Sequence, residues 1–373
     1  MRTEVFTIAP ETVHTEAVQR ATRVLNEGGL VAFPTETVYG LGVRADLPEA
    51  VERLRAAKGR AAEKAFTVHI GSREDARRFV PELNGVAQRL IRKGWPGPLT
   101  LVLRVEDATQ AEILTGRNGS FAQAMYYDGS IGLRCPDDTF ALALLQSVRG
   151  PVIASSANRS GHSPPVNGAD VRKELDGEID LLVDTGATRY SRPSTIVRVD
   201  KQGYEVLREG VLDARMVERM AELRLLFVCT GNTCRSPMAA GLAGKMLADR
   251  LGCSQGDLAK RGVQIESAGM AGGIGRAADH AVEVMAERGI DISDHSSSYL
   301  SPQMIQRADY VFAMTRGHLQ AVVELSPTSE SRVFLLRQDE DLQDPVGGSL
   351  EEYEACVRRI EQGLEARLRE IPL

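Results

Sequence analysis

Hydrophobic and polar positions alternate between helical and strand-like rhythms from one end of the chain to the other. Thr15 to Asn26 carries apolar Val18, Ala21 and Leu25 on one helical face, and Gly28-Gly29 closes that helix. Leu30 to Phe33 is a short apolar run of the kind a buried strand shows, and Phe66 to Ile70 is another. A helix is expected from Pro48 between them. In the second half, Leu225-Leu226-Phe227-Val228 reads as a strand buried on both faces, as in a parallel sheet. A helix opens near Ser236, with Pro237 in its first turn and Ala239, Leu242, Met246 and Leu247 facing inward. Strands follow at Val263 to Ser267, Tyr310 to Met314 and Val333 to Leu336, and a helix at Ala277 to Arg288. A last helix turns Tyr353, Val357, Ile360, Leu364 and Leu368 to one side. Regular strand–helix alternation predicts a doubly wound parallel sheet, whose site lies at the carboxyl ends of its strands.

Between the halves, Leu212, Met216, Met220 and Leu223 recur at spacings of three and four, which predicts a short helix. The expected division is a first domain over 1–212, a linker helix over 213–222 and a second domain over 223–373. A chain of 373 residues has room for two cores.

Composition changes this picture little. The chain is 43% hydrophobic and 26% charged with a formal net charge of -6, so bulk electrostatics does not impose nucleic-acid binding. Five cysteines, an odd number in a long chain, argue for a reducing compartment rather than a disulfide framework. No apolar h-region follows Met1-Arg2-Thr3-Glu4, and no run of eighteen apolar residues occurs. The expectation is a cytoplasmic protein with no membrane partner.

The chemistry of the second half concentrates after Val228. Cys229 stands at the strand's end and Arg235 six residues on, with Thr230, Gly231, Asn232, Thr233 and Cys234 between and Ser236-Pro237 behind. A loop wrapped onto a helix N-terminus turns several backbone N–H groups to one point and makes an anion site. The same donors favour a thiolate at Cys229. Arg235 can grip two phosphoryl oxygens at once, which Lys cannot. Asn232 and Ser236 are placed to hold the loop and Ser267 to buttress it.

This stretch resembles the phosphate loop of the low-molecular-weight protein tyrosine phosphatases, a family that includes protein arginine phosphatases. The resemblance implies a phosphocysteine intermediate on Cys229, no cofactor, and a general acid in the late loop Gln343-Asp344-Pro345, where the role falls to Asp344. It also implies a phosphoprotein substrate. Tyrosine-specific members commonly have Ile at position 233 and an aromatic after Asp-Pro. Here Thr233 and Val346 stand there, and Met270 to Gly275 holds no aromatic, which favours phosphoarginine over phosphotyrosine. Cys234 is either a reversible disulfide partner of Cys229 or a structural thiol. A thioredoxin-coupled arsenate reductase is the rival reading of this half.

The first half offers several polar blocks directly after apolar runs: Pro34 to Gly42, Lys58-Gly59-Arg60, Trp95 to Thr100, Ile131 to Pro136, Ala154 to Gly161, Ser194 to Val197 and Leu207 to Gly210. They supply Lys58, Arg60, Arg134 and Arg208 as cations, and Ser156, Asn158, Ser163 and Ser194 as neutral donors. That mixture suits a polyanion such as a nucleoside triphosphate, without a Gly-x4-Gly-Lys-Ser/Thr loop. His69 on an apolar strand, taken alone, reads as a satisfied core histidine.

In order and spacing these blocks, over about residues 10 to 212, resemble the YrdC/Sua5 family of threonylcarbamoyl-AMP synthases. The resemblance implies a twisted α/β fold with a concave basic face. It also implies a reaction joining L-threonine, bicarbonate (or CO2) and ATP, for the N6-threonylcarbamoyladenosine modification of tRNA. On that pattern Thr35 and Ser194 meet threonine, and Lys58 and Arg60 hold ATP phosphates. Arg134 sits by the reacting centre and His69 faces substrate, while Ser156, Asn158, Ser163 and Arg208 complete the nucleotide site. Mg2+ is expected to arrive with ATP, held by no protein ligand, and contact with tRNA and with the transfer machinery is implied. Ala61 and Ala65-Phe66 depart from the family's Pro and Pro-Leu around that loop. A non-catalytic RNA-binding module is the rival reading of this half.

Overall fold

The computed structural model describes residues 2–9, 14–59, 65–108, 111–114, 122–271 and 275–373. It divides into two compact units, Met1–Ala221 and Glu222–Leu373.

The first unit is a mixed sheet with helices against it. Its strands are β1 (Glu4–Thr7), β2 (Val31–Phe33), β3 (Gly40–Arg44), β4 (Thr67–His69), β5 (Leu99–Arg104), β6 (Tyr126–Tyr127), β7 (Ser130–Arg134), β8 (Val152–Ser156), β9 (Leu181–Asp184), β10 (Thr195–Asp200) and β11 (Gly203–Arg208). They lie in the order β1-β9-β2-β3-β8-β4-β7-β5-β10-β11, with β6 paired to β7. The helices are α1 (Thr15–Asn26), α2 (Pro48–Lys58), α3 (Ala76–Phe79), α4 (Gly85–Gly94), α5 (Ala122–Met125), α6 (Thr139–Ser147), α7 (Gly168–Leu175) and α8 (Ala214–Ala221).

Core residues lie on both sides of this sheet. Leu41, Leu54, Leu90, Leu101 and Leu133 belong to one cluster, and Leu25, Val31, Phe33, Phe140 and Leu144 to a second. The central strands pair β4 with β7 in parallel and with β8 antiparallel, so His69 lies beside Arg134 on one flank and Val152 on the other. Alternation along these strands puts Thr67 and His69 on the same face as Gly132 and Arg134. One sheet face thus collects the polar residues.

The linker helix expected over 213–222 is slightly shorter, Ala214–Ala221, and it belongs to the first unit. Val217 and Ala221 are buried in that unit's core, and Ala221 O accepts from Arg89 Nε at 2.7 Å. Met216, assigned to the apolar stripe, is 39% exposed, and Leu223 opens a strand of the second unit. A spacing rule cannot tell the end of one core from the start of the next.

The second unit has a four-stranded, all-parallel sheet of β12 (Leu223–Cys229), β13 (Val263–Gly269), β14 (Tyr310–Ala313) and β15 (Val333–Leu335), in the order β13-β12-β14-β15. Its helices are α9 (Arg235–Leu251), α10 (Asp279–Ala286), α11 (Pro302–Arg307), α12 (Arg316–Leu325) and α13 (Leu350–Arg369). Leu225 and Phe227 face one cluster and Leu226 and Val228 another, so the apolar run of β12 is buried on both faces, as expected for a central parallel strand. Tyr353, Val357, Ile360, Leu364 and Leu368 line the buried side of α13, whose first turn is closed by a Ser349–Glu352 capping box. The doubly wound reading of this half and the α/β reading of the first both hold.

Candidate functional sites

In the second unit β12 ends at Cys229 and α9 begins at Arg235, leaving five residues to turn the chain. Asn232 makes the turn in the left-handed region at φ 55°, where Asn is tolerated far better than branched residues. Its side chain holds the loop. Nδ2 donates to Ser236 Oγ and to Ser267 Oγ, both at 2.8 Å, and Oδ1 accepts from Ser298 N at 2.8 Å. His295 Nε2 lies 2.7 Å from Asn232 O. Behind the loop, Gly269 ends β13 so closely that a Cβ there would fall 2.6 Å from Thr230 O and 2.9 Å from Asn232 N.

The sulfur of Cys229, 2% exposed at residue level, accepts from Asn232 N at 3.2 Å and lies 3.0 Å from Ser236 Oγ. One backbone N–H donates to the sulfur and a hydroxyl lies within hydrogen-bonding distance of it, a setting that suits an anion. Arg235 is buried. Its Nη1 donates to Leu342 O at 2.9 Å, while Nη2 contacts Thr230 Oγ1 at 3.2 Å and ion-pairs with Asp344 Oδ2. Nη1 is thus tied down and Nε has no hydrogen-bond partner, so a two-oxygen ligand could take the Nε–Nη2 edge by displacing Asp344. Thr230, Gly231 and Thr233 are at least partly accessible, and Ala278 N donates to Thr233 O at 2.9 Å.

All five cysteines are free thiols. Cys234 Sγ lies 3.1 Å from the hydroxyl of Tyr353 on α13, whose ionisation burial pushes well up. Burial likewise pushes Cys356 up to about 12, the value for a thiol inert at neutral pH. His318, His295 and Ser298 were not singled out from sequence, and Tyr353 only as part of the apolar side of the last helix. For His318 a signal existed: Thr315-x-x-His318 opens a helix just past β14, at the carboxyl end of a strand next to β12.

In the first unit the loop after β2 curls inward. Thr35 Oγ1 donates to Val38 O at 2.6 Å and contacts Thr37 Oγ1 at 2.9 Å, and all three of Thr35, Glu36 and Thr37 are buried. Arg134, at the end of β7, donates to Thr37 Oγ1 at 2.6 Å and reaches Thr35 Oγ1 at 3.5 Å. Its Nη2 lies 3.0 Å from Glu36 Oε1, though off the hydrogen-bonding direction. Tyr190 N and Thr188 Oγ1 donate to Glu36 O (2.9 Å) and Thr37 O (2.8 Å), so the 188–190 segment crosses over this loop.

His69 Nδ1 lies 3.3 Å from Thr67 O. A carbonyl can only accept, so Nδ1 carries the hydrogen and Nε2 is left as an acceptor. Burial first, then the charge of Arg134, pushes the imidazole down to about 3. Arg208, at the end of β11, donates to Ser194 O at 2.8 Å, and Ser194 Oγ meets Thr100 Oγ1 at 2.9 Å. Burial and the charge of Arg134 hold the Arg208 guanidinium below its usual range. An arginine whose charge is disfavoured by a neighbouring arginine marks a place that an anion would relieve.

Lys58 ends α2 and points across to β8, where its Nζ donates to the carbonyls of Ser156 and Asn158. Asn158 Nδ2 donates to Arg159 O (2.9 Å) and His162 O (2.7 Å), while its Oδ1 has no partner. Ser163 is exposed on the same loop. Arg60 lies outside the described residues. Buried polar atoms without hydrogen-bond partners gather here: both carboxylate oxygens of Glu36, of which Oε1 keeps its ion pair with Arg134, and Arg134 Nε, Ser155 Oγ and Asn158 Oδ1. Each costs about 1–3 kcal/mol. Such a concentration marks a functional site more readily than a flaw in packing. Glu36, Thr37 and Thr100 were visible as part of the polar blocks but not assigned roles.

Fold and geometry together define the class: a mixed α/β unit with a cation-lined, hydroxyl-rich sheet face, and a doubly wound unit with a cysteine in an anion-binding loop. Residues 23–210 match the family model Sua5/YciO/YrdC, described as telomere recombination, and residues 224–372 match that of the low molecular weight phosphotyrosine protein phosphatases. A threonylcarbamoyl-AMP synthase of Pyrococcus abyssi (strain GE5 / Orsay) is 33% identical over 226 residues, 60% of this chain and 63% of the relative. A protein-arginine-phosphatase of Geobacillus stearothermophilus is 41% identical over 145 residues, 37% of this chain and 88% of the relative. The crystal structure of P. abyssi Sua5 complexed with L-threonine shares the fold at a TM-score of 0.52 and 22% identity, covering 97% of this chain and 98% of that one. The chain therefore belongs to the Sua5/YciO/YrdC family through its first unit and to the low molecular weight phosphatase family through its second. It spans 63% of the length of the Pyrococcus relative. No helix among the described residues is long and apolar enough to cross a membrane.

Proposed function

We propose that the chain is a bifunctional enzyme whose first unit forms threonylcarbamoyl-AMP and whose second hydrolyses a protein phosphate through a phosphocysteine. For the first unit the carrying observation is the pair Arg134 and Arg208, set beside buried Thr35 and the neutral His69. On this reading Thr35 and Ser194 receive L-threonine, whose amino group becomes a carbamate by taking up bicarbonate with loss of water, or CO2 with loss of a proton. The carbamate oxygen attacks the α-phosphorus of ATP, and pyrophosphate leaves. Lys58 and Arg60 serve the phosphates, with Ser156, Asn158 and Ser163 around the nucleotide. The protein supplies position and positive charge rather than a nucleophile.

Among the described residues no group of three or more His, Cys, Asp and Glu side chains is gathered to hold a metal. Mg2+ fits this reading as a partner of the triphosphate, where it screens charge. The product's consumer is a transfer to tRNA adenosine, so contact with tRNA and that machinery belongs to the same proposal, in a cytoplasmic setting. Release of pyrophosphate that needs both threonine and bicarbonate tests it. RNA binding without such turnover would favour the RNA-binding module, which the names of the matching relatives do not support.

For the second unit the carrying observation is the Cys229 sulfur facing Asn232 N–H and the Ser236 hydroxyl, in a loop closed by Arg235, which ion-pairs with Asp344. Cys229 attacks phosphorus while Asp344 protonates the leaving group. Water then breaks the S–P bond with Asp344 as base. Turnover of p-nitrophenyl phosphate should vanish in Cys229→Ser, and unchanged turnover would reject the assignment. The substrate we propose is phosphoarginine. Thr233 supplies a hydroxyl where an aliphatic side chain would favour a phenol ring, and Val346, 65% exposed, stands where an aromatic would pack. Comparison of phosphoarginine and phosphotyrosine peptides before and after Thr233→Ile tests it. A preference that Thr233→Ile leaves untouched would sink the selectivity argument.

A further inference from the structure

We propose that His318 is a positioning residue of the phosphatase centre, setting the plane of the Arg235 guanidinium through the hydroxyl of Thr230. The inference rests on the cysteine-phosphatase reading of the second unit.

Three contacts form one chain. Arg235 Nη2 donates to Thr230 Oγ1 at 3.2 Å, Thr230 Oγ1 lies 2.9 Å from His318 Nε2, and His318 Nδ1 lies 2.8 Å from Thr315 Oγ1. The far end is anchored. Thr315 is the N-cap of α12 and accepts from His318 N at 3.2 Å, so imidazole and backbone share one hydroxyl. Burial and the charge of Arg235 lower the imidazole's proton affinity, against smaller opposing effects of Asp344 and Asp341. The ring is therefore neutral at neutral pH, with one nitrogen donating and the other accepting.

This chain matters because Arg235 has few other holds. Its Nη1 is fixed on Leu342 O, and its Nε has no partner. Its Nη2 ion-pairs with Asp344, a contact a phosphoryl group must displace to take the Nε–Nη2 edge. Once it is displaced, Thr230 is the hold that remains on Nη2. A threonine hydroxyl rotates freely unless its hydrogen-bond partners fix it. His318 fixes it, and with it the angle at which the guanidinium meets the phosphoryl oxygens.

The test is steady-state kinetics of the full chain on p-nitrophenyl phosphate, with inorganic phosphate as inhibitor. The variants are His318→Phe, His318→Asn, His318→Gln, Thr230→Val and the double Thr230→Val/His318→Phe. His318→Phe keeps ring volume and loses both bonds, so kcat/KM should fall about 5- to 10-fold, the worth of one such hydrogen bond, with a parallel rise in the inhibition constant for phosphate. The Gln amide reaches the position of Nε2 and should recover most of the loss. The Asn amide reaches only that of Nδ1 and should not. The double variant should be no worse than the poorer single within about twofold, since both cut the same chain. Losses that multiply, Asn rescuing as well as Gln, or an unaffected His318→Phe would each overturn the inference. Should His318→Phe fail to fold, the Gln–Asn contrast decides alone. Turnover that survives Cys229→Ser sinks the phosphatase reading itself, whereas Cys229-dependent turnover indifferent to His318 sinks the inference only.

Discussion

Asn232 holds the phosphatase loop in two separable ways, and replacing it by Gly and by Ala takes them apart. Its side chain makes three hydrogen bonds at 2.8 Å, to Ser236 Oγ, Ser267 Oγ and Ser298 N. Each contributes about 0.5–1.5 kcal/mol net. The loss leaves the amide of Ser298 without its acceptor, so Asn232→Gly should destabilise the second unit by about 3 kcal/mol. Gly accepts φ 55° without strain, whereas Ala at that angle adds about 1 kcal/mol or more. Asn232→Ala should therefore be the worse variant, by that margin.

The assay follows from where the aromatic reporters sit. The chain has one tryptophan, Trp95, buried in the core of the first unit. Tryptophan fluorescence thus follows the first unit in a denaturant titration, and far-UV circular dichroism adds the second. The fluorescence midpoint should stay where it is in both variants. The remaining dichroism transition should move to lower denaturant, further for Ala than for Gly, and phosphatase kcat/KM should fall with it. A second-unit transition unchanged in Asn232→Gly would refute the hydrogen-bond accounting. Gly and Ala indistinguishable would refute the backbone part alone.

Three further outcomes are expected. Gly269→Ala drives a Cβ to 2.6 Å from Thr230 O, so phosphatase kcat/KM should drop at least tenfold in turnover assays while threonine-dependent pyrophosphate release stays at the parent rate. Arg134→Lys keeps a charge but loses the guanidinium whose Nη2 reaches both Thr37 and Thr35, and should lower pyrophosphate release by about a hundredfold at saturating ATP. His69 is held at about 3 in the folded chain against about 6.5 unfolded, so its stabilising share is whole above pH 6.5 and drains as pH falls toward 3. By pH 5 that is about 2 kcal/mol of first-unit stability, and the fluorescence-detected midpoint of His69→Gln should lose correspondingly less between pH 7 and pH 5 than the parent does.

Legibility in the sequence followed the range of the interactions. The four-residue apolar run before Cys229 and the loop after it are local, and strand, turn and helix came out where expected because each is set by neighbours in the chain. The pairing of Arg235 with Asp344, 109 positions later, was reachable only through the family pattern. His318 stayed hidden because it meets Thr230 across 88 residues, by way of the β12–β14 register. In the first half the polar blocks could be counted but not aimed. Glu36 looked like one more hydrogen-bonding group, and only the fold places it under Arg134 with both oxygens out of water's reach. Arg60 and Gly272 to Gly273 fall outside the described residues.

On the proposed function the two centres hold an anion by opposite means, and the difference follows from what each must do. The loop at Cys229 gathers dipoles, a backbone N–H and a hydroxyl on the sulfur, and its one buried cation is already matched by Asp344. An arrangement of that kind tolerates an empty state, since its cation already has a counter-charge. The first unit places whole charges instead: Arg134 lowers the proton affinity of both Arg208 and His69, and only the poorly aligned Glu36 lies against it. Repulsion of this sort is released when an anion enters, so on the proposed function part of a triphosphate's binding energy would be drawn from strain the folded unit already contains. A nucleophile that must be made negative calls for the first device. A substrate that arrives carrying several negative charges calls for the second.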